Sequence, residues 1–204
     1  LIQRFGEMLE KKLNESHWQK LFQQNPFIIN MAFGFPVVSI QGQASVGGHR
    51  LSGGGGKIAD FLIKNAISNN AAIVEIKTPT MNLTQSKAYR SGVHGPSQEL
   101  SASVNQVLDQ IYLLQKDINT IKVNSKLYDT ETYHIQGILI AGCTSKNSDE
   151  QKSFEYFRGN SKNVQVLTFD ELLEKLKSLH QFLLPNRPQI RPYVDDDDED
   201  DLPF

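Results

Sequence analysis

Residues 71–79 read AAIVEIKTP, and the two charges inside this apolar run decide how the rest of the chain is read. Small and β-branched residues make it a strand, and Pro79 ends regular pairing. Alternation places Ile73, Glu75 and Lys77 on one face, and Ala72, Val74 and Ile76 on the other. The second face is ordinary core. The first sets a carboxylate beside an ammonium near the strand's end, and charge is costly to bury unless it is paired or holds a metal.

Upstream, IADFLIK (58–64) is a second strand and ISNN (67–70) a turn, so a hairpin brings Asp60 onto the strand beside Glu75. Two such carboxylates offer hard oxygens to one divalent cation, and the carbonyl of Ile76 can add a third. That cation acidifies a bound water and offsets charge building on a phosphate. Lys77 would orient the water, help deprotonate it or hold the phosphate. The competing reading is a cross-strand salt bridge on a solvated face, since D…E-x-K matches many chains.

Further out, residues 2–14 read as helix, and S-x-x-Q from Ser16 predicts a capping box for a second helix from about His17 to Gln24, ended by Pro26. FIINMAFGF leads into the strand PVVSIQGQASV. Residues 80–96 lack periodicity and read as a functional loop. A long helix begins at Ser97 with Leu100, Val104, Val107, Leu108, Ile111 and Leu114 inward, while Glu99, Ser103, Gln106 and Gln110 form another stripe. HIQGILIAG is a buried strand, followed by a helix over 149–158 and the strand VQVLTF. Asp170 then caps a last helix with Leu172, Leu173, Leu176 and Leu179 inward. Trp18 reads as packing, and Glu155 with Arg158 as a pair along their helix. The class is α/β with a mixed β-sheet flanked by helices.

The run GGGGKI fails as a phosphate loop, because Leu51 and Ile58 stand where a Walker motif needs glycine and a hydroxyl residue. The six glycines from Gly47 to Gly56 read instead as a mobile hairpin end. The single cysteine, Cys143, excludes an internal disulfide and points to a reducing, cytoplasmic setting. No apolar stretch approaches the ~18 residues of a membrane span. The chain opens on Leu, which suggests a piece of a longer protein. Residues 195–201 hold seven of the 23 acidic residues, so the body carries 21 basic against 16 acidic groups, a mildly basic balance compatible with a nucleic-acid partner.

The ordered set ADF, IVEIKTP, a basic loop and a glutamine-bearing helix resembles the PD-(D/E)xK nuclease superfamily. HWQKLFQQNPFII, PSQELSASVNQVLDQI, SFEYFRG and VLTFDELLEKL extend the likeness, over about residues 15–180, to the nuclease domain of the Shedu anti-phage defence proteins. The resemblance implies a restriction-endonuclease-like core over residues 1–184. It also implies a DNA endonuclease in which Asp60 and Glu75 bind Mg²⁺ (or Mn²⁺ in its place), Lys77 assists the nucleophilic water and Gln106 stands beside the site. Glu15 and Glu7 compete for the family's N-terminal helix acid. Ala59 replaces the motif's proline, at a position that varies in such enzymes. Tyr112 is not at the spacing of a RecB-type Gln-x-x-x-Tyr motif, which argues against that exonuclease class. The family also implies a homo-oligomer, dimer or tetramer. The alternative is a catalytically silent module on the same fold, sensing DNA or a replication-protein tail.

Arg50, Lys57, Lys87, Arg90 and His94 lie in the loops expected to flank the hairpin's open end, as candidate phosphate contacts. Surface solubility is the alternative for each, and for His94 a hydrogen bond that holds the loop. Residues 185–204 form a proline-containing acidic tail, DDDDEDDLPF at its end, similar to the tip of bacterial single-stranded-DNA-binding proteins. That likeness implies docking through Leu202, Pro203 and Phe204 onto a partner protein or the chain's own groove. A solvated tail and a grafted peptide are the other readings.

Overall fold

The computed structural model describes residues 1–46 and 57–184. Helices α1 (Ile2–Leu9), α2 (Glu15–Gln24) and α3 (Phe27–Asn30) come first, followed by strands β1 (Val37–Val46), β2 (Lys57–Asn65) and β3 (Asn70–Ile76). Then α4 (Gln98–Ser125), β4 (Glu131–Ile140), α5 (Ser148–Gly159), β5 (Val164–Leu167) and α6 (Phe169–Leu183) alternate. The sheet has the order β1-β2-β3-β4-β5, with β1 to β3 an antiparallel meander and β3, β4 and β5 parallel. Each parallel pair needs a crossover, which α4 and α5 supply. The result is the restriction-endonuclease-like mixed sheet between two helical layers that the sequence predicts.

β3 is central, and both of its faces are buried. Val74 and Ile76 pack with Phe5, Trp18, Phe22, Phe169 and Leu172 of α1, α2 and α6. On the other face Ile73 packs with Leu114 and Ile121 of α4. The face of β3 that carries Glu75 is therefore as closed as the one read as core, and the solvated salt bridge is excluded. Glu75 is 4% exposed and Asp60 6%. Trp18 is fully buried against Phe5 and, edge-on at 4.6 Å, against Phe169, as the packing reading requires.

Several boundaries differ from expectation. The first helix stops at Leu9. Asn14 precedes α2, and its side chain accepts the Ser16 hydroxyl at 2.8 Å; Ser16 lies inside the helix and its capping box does not form. FIIN is a short helix rather than a lead into a strand. Thr168, not Asp170, caps α6, accepting from Glu171 N while the Glu171 carboxylate accepts from Thr168 N. Asp170 instead accepts from the backbone N–H of Thr144 at 3.1 Å. Leu108 and Leu179 are exposed rather than inward. The long helix starts where expected, with Ser97 as its N-cap, and the Glu155–Arg158 pair forms at 2.6 Å.

Candidate metal centre

β2 and β3 are paired from Lys64 opposite Ala71 to Phe61 opposite Val74, and the ladder stops there. Beyond that point no further residues of the two strands are paired, and side chains take over. Asp60 Oδ2 accepts the Ile76 N–H at 2.7 Å, so the carboxylate closes the end of the ladder itself. Asp60 Oδ1 accepts from Gln19 Nε2 at 2.7 Å and Gln43 Nε2 at 3.2 Å.

Glu75 projects towards α4, where residues four apart share a face. Its Oε1 accepts from Gln106 Nε2 at 2.6 Å and Lys77 Nζ at 2.9 Å, and its Oε2 from Gln110 Nε2 at 3.0 Å. Ser97 sets the start of this helix, and Val107 and Leu114 anchor it on the sheet, so core packing fixes where its glutamines reach. On the other side, α2 turns Trp18, Leu21 and Phe22 inward and leaves Glu15 and Gln19 facing the site. Glu15 Oε1 lies 3.9 Å from Lys77 Nζ. Glu7 accepts from Gln3 within α1, so Glu15 is the helix acid at the site.

The electrostatics follow from burial. The Asp60 carboxyl is pushed up to about 7, first by loss of solvent and then by the Glu75 charge, against the opposing pull of the Ile76 N–H and Lys77. Burial alone would lower the Lys77 ammonium, but Glu75, Glu15 and Asp60 outweigh it and raise it above its ordinary value. Lys77 is therefore a proton-bearing cation at neutral pH, suited to donate a hydrogen bond and unsuited to act as a base.

A carboxylate accepts about four hydrogen bonds. Among the described residues Asp60 takes two on Oδ1 and one on Oδ2, and Glu75 takes two on Oε1 and one on Oε2. Each thus keeps room on one oxygen. No three His, Cys, Asp or Glu side chains gather as a metal cage among the described residues. The donor set that fits a hard cation is the two carboxylates, with the Ile76 carbonyl and water completing it. Burial first, and then the Glu75 charge, oppose the ionisation of Asp60, and a divalent cation between the two carboxylates would offset both.

The predicted phosphate contacts are less concentrated. The loop after Pro79 is tied by bridges between Thr84 and Pro96 and between Arg90 and Val93. Lys87 and Arg90 are exposed on it, with the Arg90 guanidinium 5.5 Å from the Tyr89 ring centroid. His94 is engaged elsewhere: its Nδ1 meets Gln85 O of the loop at 2.8 Å, and its backbone N–H donates to Ser153 Oγ of α5. None of the three bonds to Asp60, Glu75 or Lys77 among the described residues. Arg50, the Lys57 side chain, and Leu202, Pro203 and Phe204 lie outside the described residues.

Gln19 and Gln43 were not legible as site residues. Gln19 carries a signal, since it follows Glu15 by one helical turn; Gln43 carries none in its sequence context. Gln110 is visible only as a polar position on the Gln106 stripe.

Residues 12–173 match the family model described as "Shedu protein SduA, C-terminal". The chain is 36% identical over 176 residues to Shedu protein SduA of Bacillus cereus (strain B4264). That alignment covers 83% of this chain and 46% of the relative, so the chain spans a little under half of that protein's length. The matched stretch contains every residue of the Asp60–Glu75–Lys77 centre and its glutamine partners, and the chain belongs to the Shedu SduA C-terminal family.

Proposed function

We propose that this chain is a Mg²⁺-dependent DNA endonuclease domain acting in anti-phage defence. The observation that carries the reading is the buried Asp60–Glu75 pair, held by five protein donors besides Lys77 and flanked by that protonated lysine. An ion pair made for stability needs one partner per charge. Once Asp60 ionises, two buried carboxylates face one ammonium, and a divalent cation would offset the excess negative charge.

Bound there, Mg²⁺ would supply Lewis acidity and lower the pKa of water. The chain's own residues do the rest. Asp60 and Glu75, oriented by their amide donors, present oxygens in fixed directions. Lys77 donates to the incoming water or a phosphate oxygen, and its charge opposes the negative charge that grows on phosphorus. The water gives up a proton to solvent and its oxygen bonds to phosphorus, the bond from phosphorus to the 3′ oxygen breaks, that oxygen takes up a proton from solvent, and a 5′-phosphate and a 3′-hydroxyl remain. The carboxylate and ammonium chemistry contacts phosphate and not base, so cleavage is expected without strong sequence preference at this centre.

Incubation of the chain with supercoiled and linear DNA, in Mg²⁺ or in chelator, tests this. Glu75→Ala and Lys77→Ala should each lose at least about 100-fold of the metal-dependent rate while their circular dichroism stays that of the wild type. Full activity in either variant would sink the mechanism, and metal-independent binding without cleavage would leave a sensing module.

A further inference from the structure

Three described non-glycine residues have positive φ: Asn69 at +58°, Lys126 at +55° and Gln43 at +53°. Two are explained by their place. Asn69 occupies the β2–β3 turn, where asparagine adopts this conformation readily, and Lys126 is the left-handed cap of α4. Gln43 lies inside β1, where regular pairing calls for extended backbone, and it is exposed, so no packing forces the kink. A left-handed glutamine costs free energy, and such strain persists where the surroundings use it.

What the kink accomplishes is visible across the ladder. β1 pairs Gly42 with Phe61 and Ala44 with Ala59, which sets Gln43 opposite Asp60. Its amide reaches Asp60 Oδ1 beside that of Gln19. With both amides on Oδ1 and the Ile76 N–H on Oδ2, the room left on the carboxylate is confined to Oδ2. Without the Gln43 amide, Oδ1 regains a lone pair and the carboxylate has more than one way to meet a cation.

We propose that Gln43 is a positioning residue for Asp60: a strained kink in β1 aims its amide at Oδ1 and so fixes the oxygen offered to the divalent cation. This rests on reading Asp60 and Glu75 as a cation site. Its test is direct metal binding, without DNA or turnover, by titrating the full chain with Mn²⁺ in a calorimeter and following thermal unfolding in parallel. Gln43→Gly and Gln43→Asn both accept positive φ; the first lacks the amide, and the second carries it one methylene too short.

Loss of an orienting partner typically weakens metal binding about 10- to 100-fold, and that is the expected rise in the Mn²⁺ Kd of both variants. The Tm of Gln43→Gly should stay close to that of the wild type, because relief of the strain offsets the lost hydrogen bond and the freedom of glycine. Wild-type Mn²⁺ affinity in the two variants overturns the proposal while leaving the cation site standing. A fall in both Tm and affinity marks Gln43 as merely structural and overturns it too. If the wild-type chain binds no Mn²⁺, the cation site fails, and this proposal with it.

Discussion

Asp60 couples the centre to pH, and the sign can be worked out. Its carboxyl is near 3.8 when solvated and about 7 in the folded chain, mainly through burial. Between those values the unfolded chain has released the proton and the folded chain still holds it, so stability falls as pH rises through this window. At about 1.4 kcal/mol per pKa unit, the loss for the metal-free chain is up to about 4 kcal/mol by pH 7 and above. Thermal unfolding from pH 4 to 8 in chelator should therefore show a decline that Asp60→Asn removes. On the proposed reading of the ionised pair as the cation's ligand set, added Mg²⁺ should restore Tm more strongly as pH rises. Superimposable profiles for wild type and Asp60→Asn would show that Asp60 is not the buried acid.

At this scale the sequence exposes half of the site. Glu75 and Lys77 betray themselves as charges in an apolar strand, and Asp60 follows from the hairpin. Gln43 is hidden, because its role depends on one left-handed residue inside a strand, and nothing in GQA signals that backbone choice. Gln19 is half-hidden: its helix is predictable, but which face of that helix meets Asp60 is decided by Trp18, Leu21 and Phe22 filling the core.

Among the elements, α4 matters most to the site, because it carries Gln106 and Gln110 to Glu75. Its close approach to β4 depends on Gly137. A Cβ there would sit 2.5 Å from Val107 Cγ1 and 3.2 Å from both Asn163 O and Ile111 Cδ1. Gly137→Ala should push α4 outward and cost about 1–3 kcal/mol, the usual range for overpacking. The glutamines ride on that helix, so Mn²⁺ affinity should fall as well. Denaturant unfolding and calorimetry measure the two effects. Unchanged stability would mean that the Val107 side chain turns aside and α4 stays in place. The longer helices and the β2–β3 hairpin were legible from periodicity, whereas the short helix Phe27–Asn30 and the caps of α2 and α6 were not. At Thr168/Asp170 two capping residues stand two apart and a tertiary contact chooses between them, Asp170 being drawn to the Thr144 N–H, whereas at Asn14/Ser16 the choice is local, with the Ser16 hydroxyl donating to Asn14. Leu108 and Leu179 are exposed while Val104, Val107, Leu114 and Leu176 of the same helices are buried, so the apolar stripe read from spacing is wider than the face that packs.

In the whole molecule, two cations of the loop beyond the centre are exposed, and two at the far end of the sheet are held in ion pairs. The carboxyl end of β3 leads through Lys77 and Pro79 into the loop that exposes Lys87 and Arg90. At the opposite end, where β4 begins, Lys122 is occupied by Glu131 at 3.2 Å, and Lys64, near the β2–β3 turn, by Asp129 at 2.6 Å. DNA lying over the Asp60–Glu75 centre would therefore meet the exposed cations of that loop and not the paired ones. Each phosphate neutralised contributes about 0.9 to the slope of log K against log salt concentration. Lys87→Ala and Arg90→Ala should each weaken duplex binding for all sequences alike and flatten that slope by up to about one unit, with Lys122→Ala as the control that leaves it unchanged. Fluorescence anisotropy on the Glu75→Ala background separates binding from cleavage. If the slope responds to Lys122 and not to the loop, the duplex approaches the other end of the sheet and the buried acids lie out of its reach. If the loop variants alone respond, the end of the sheet that holds the centre is the end that meets DNA.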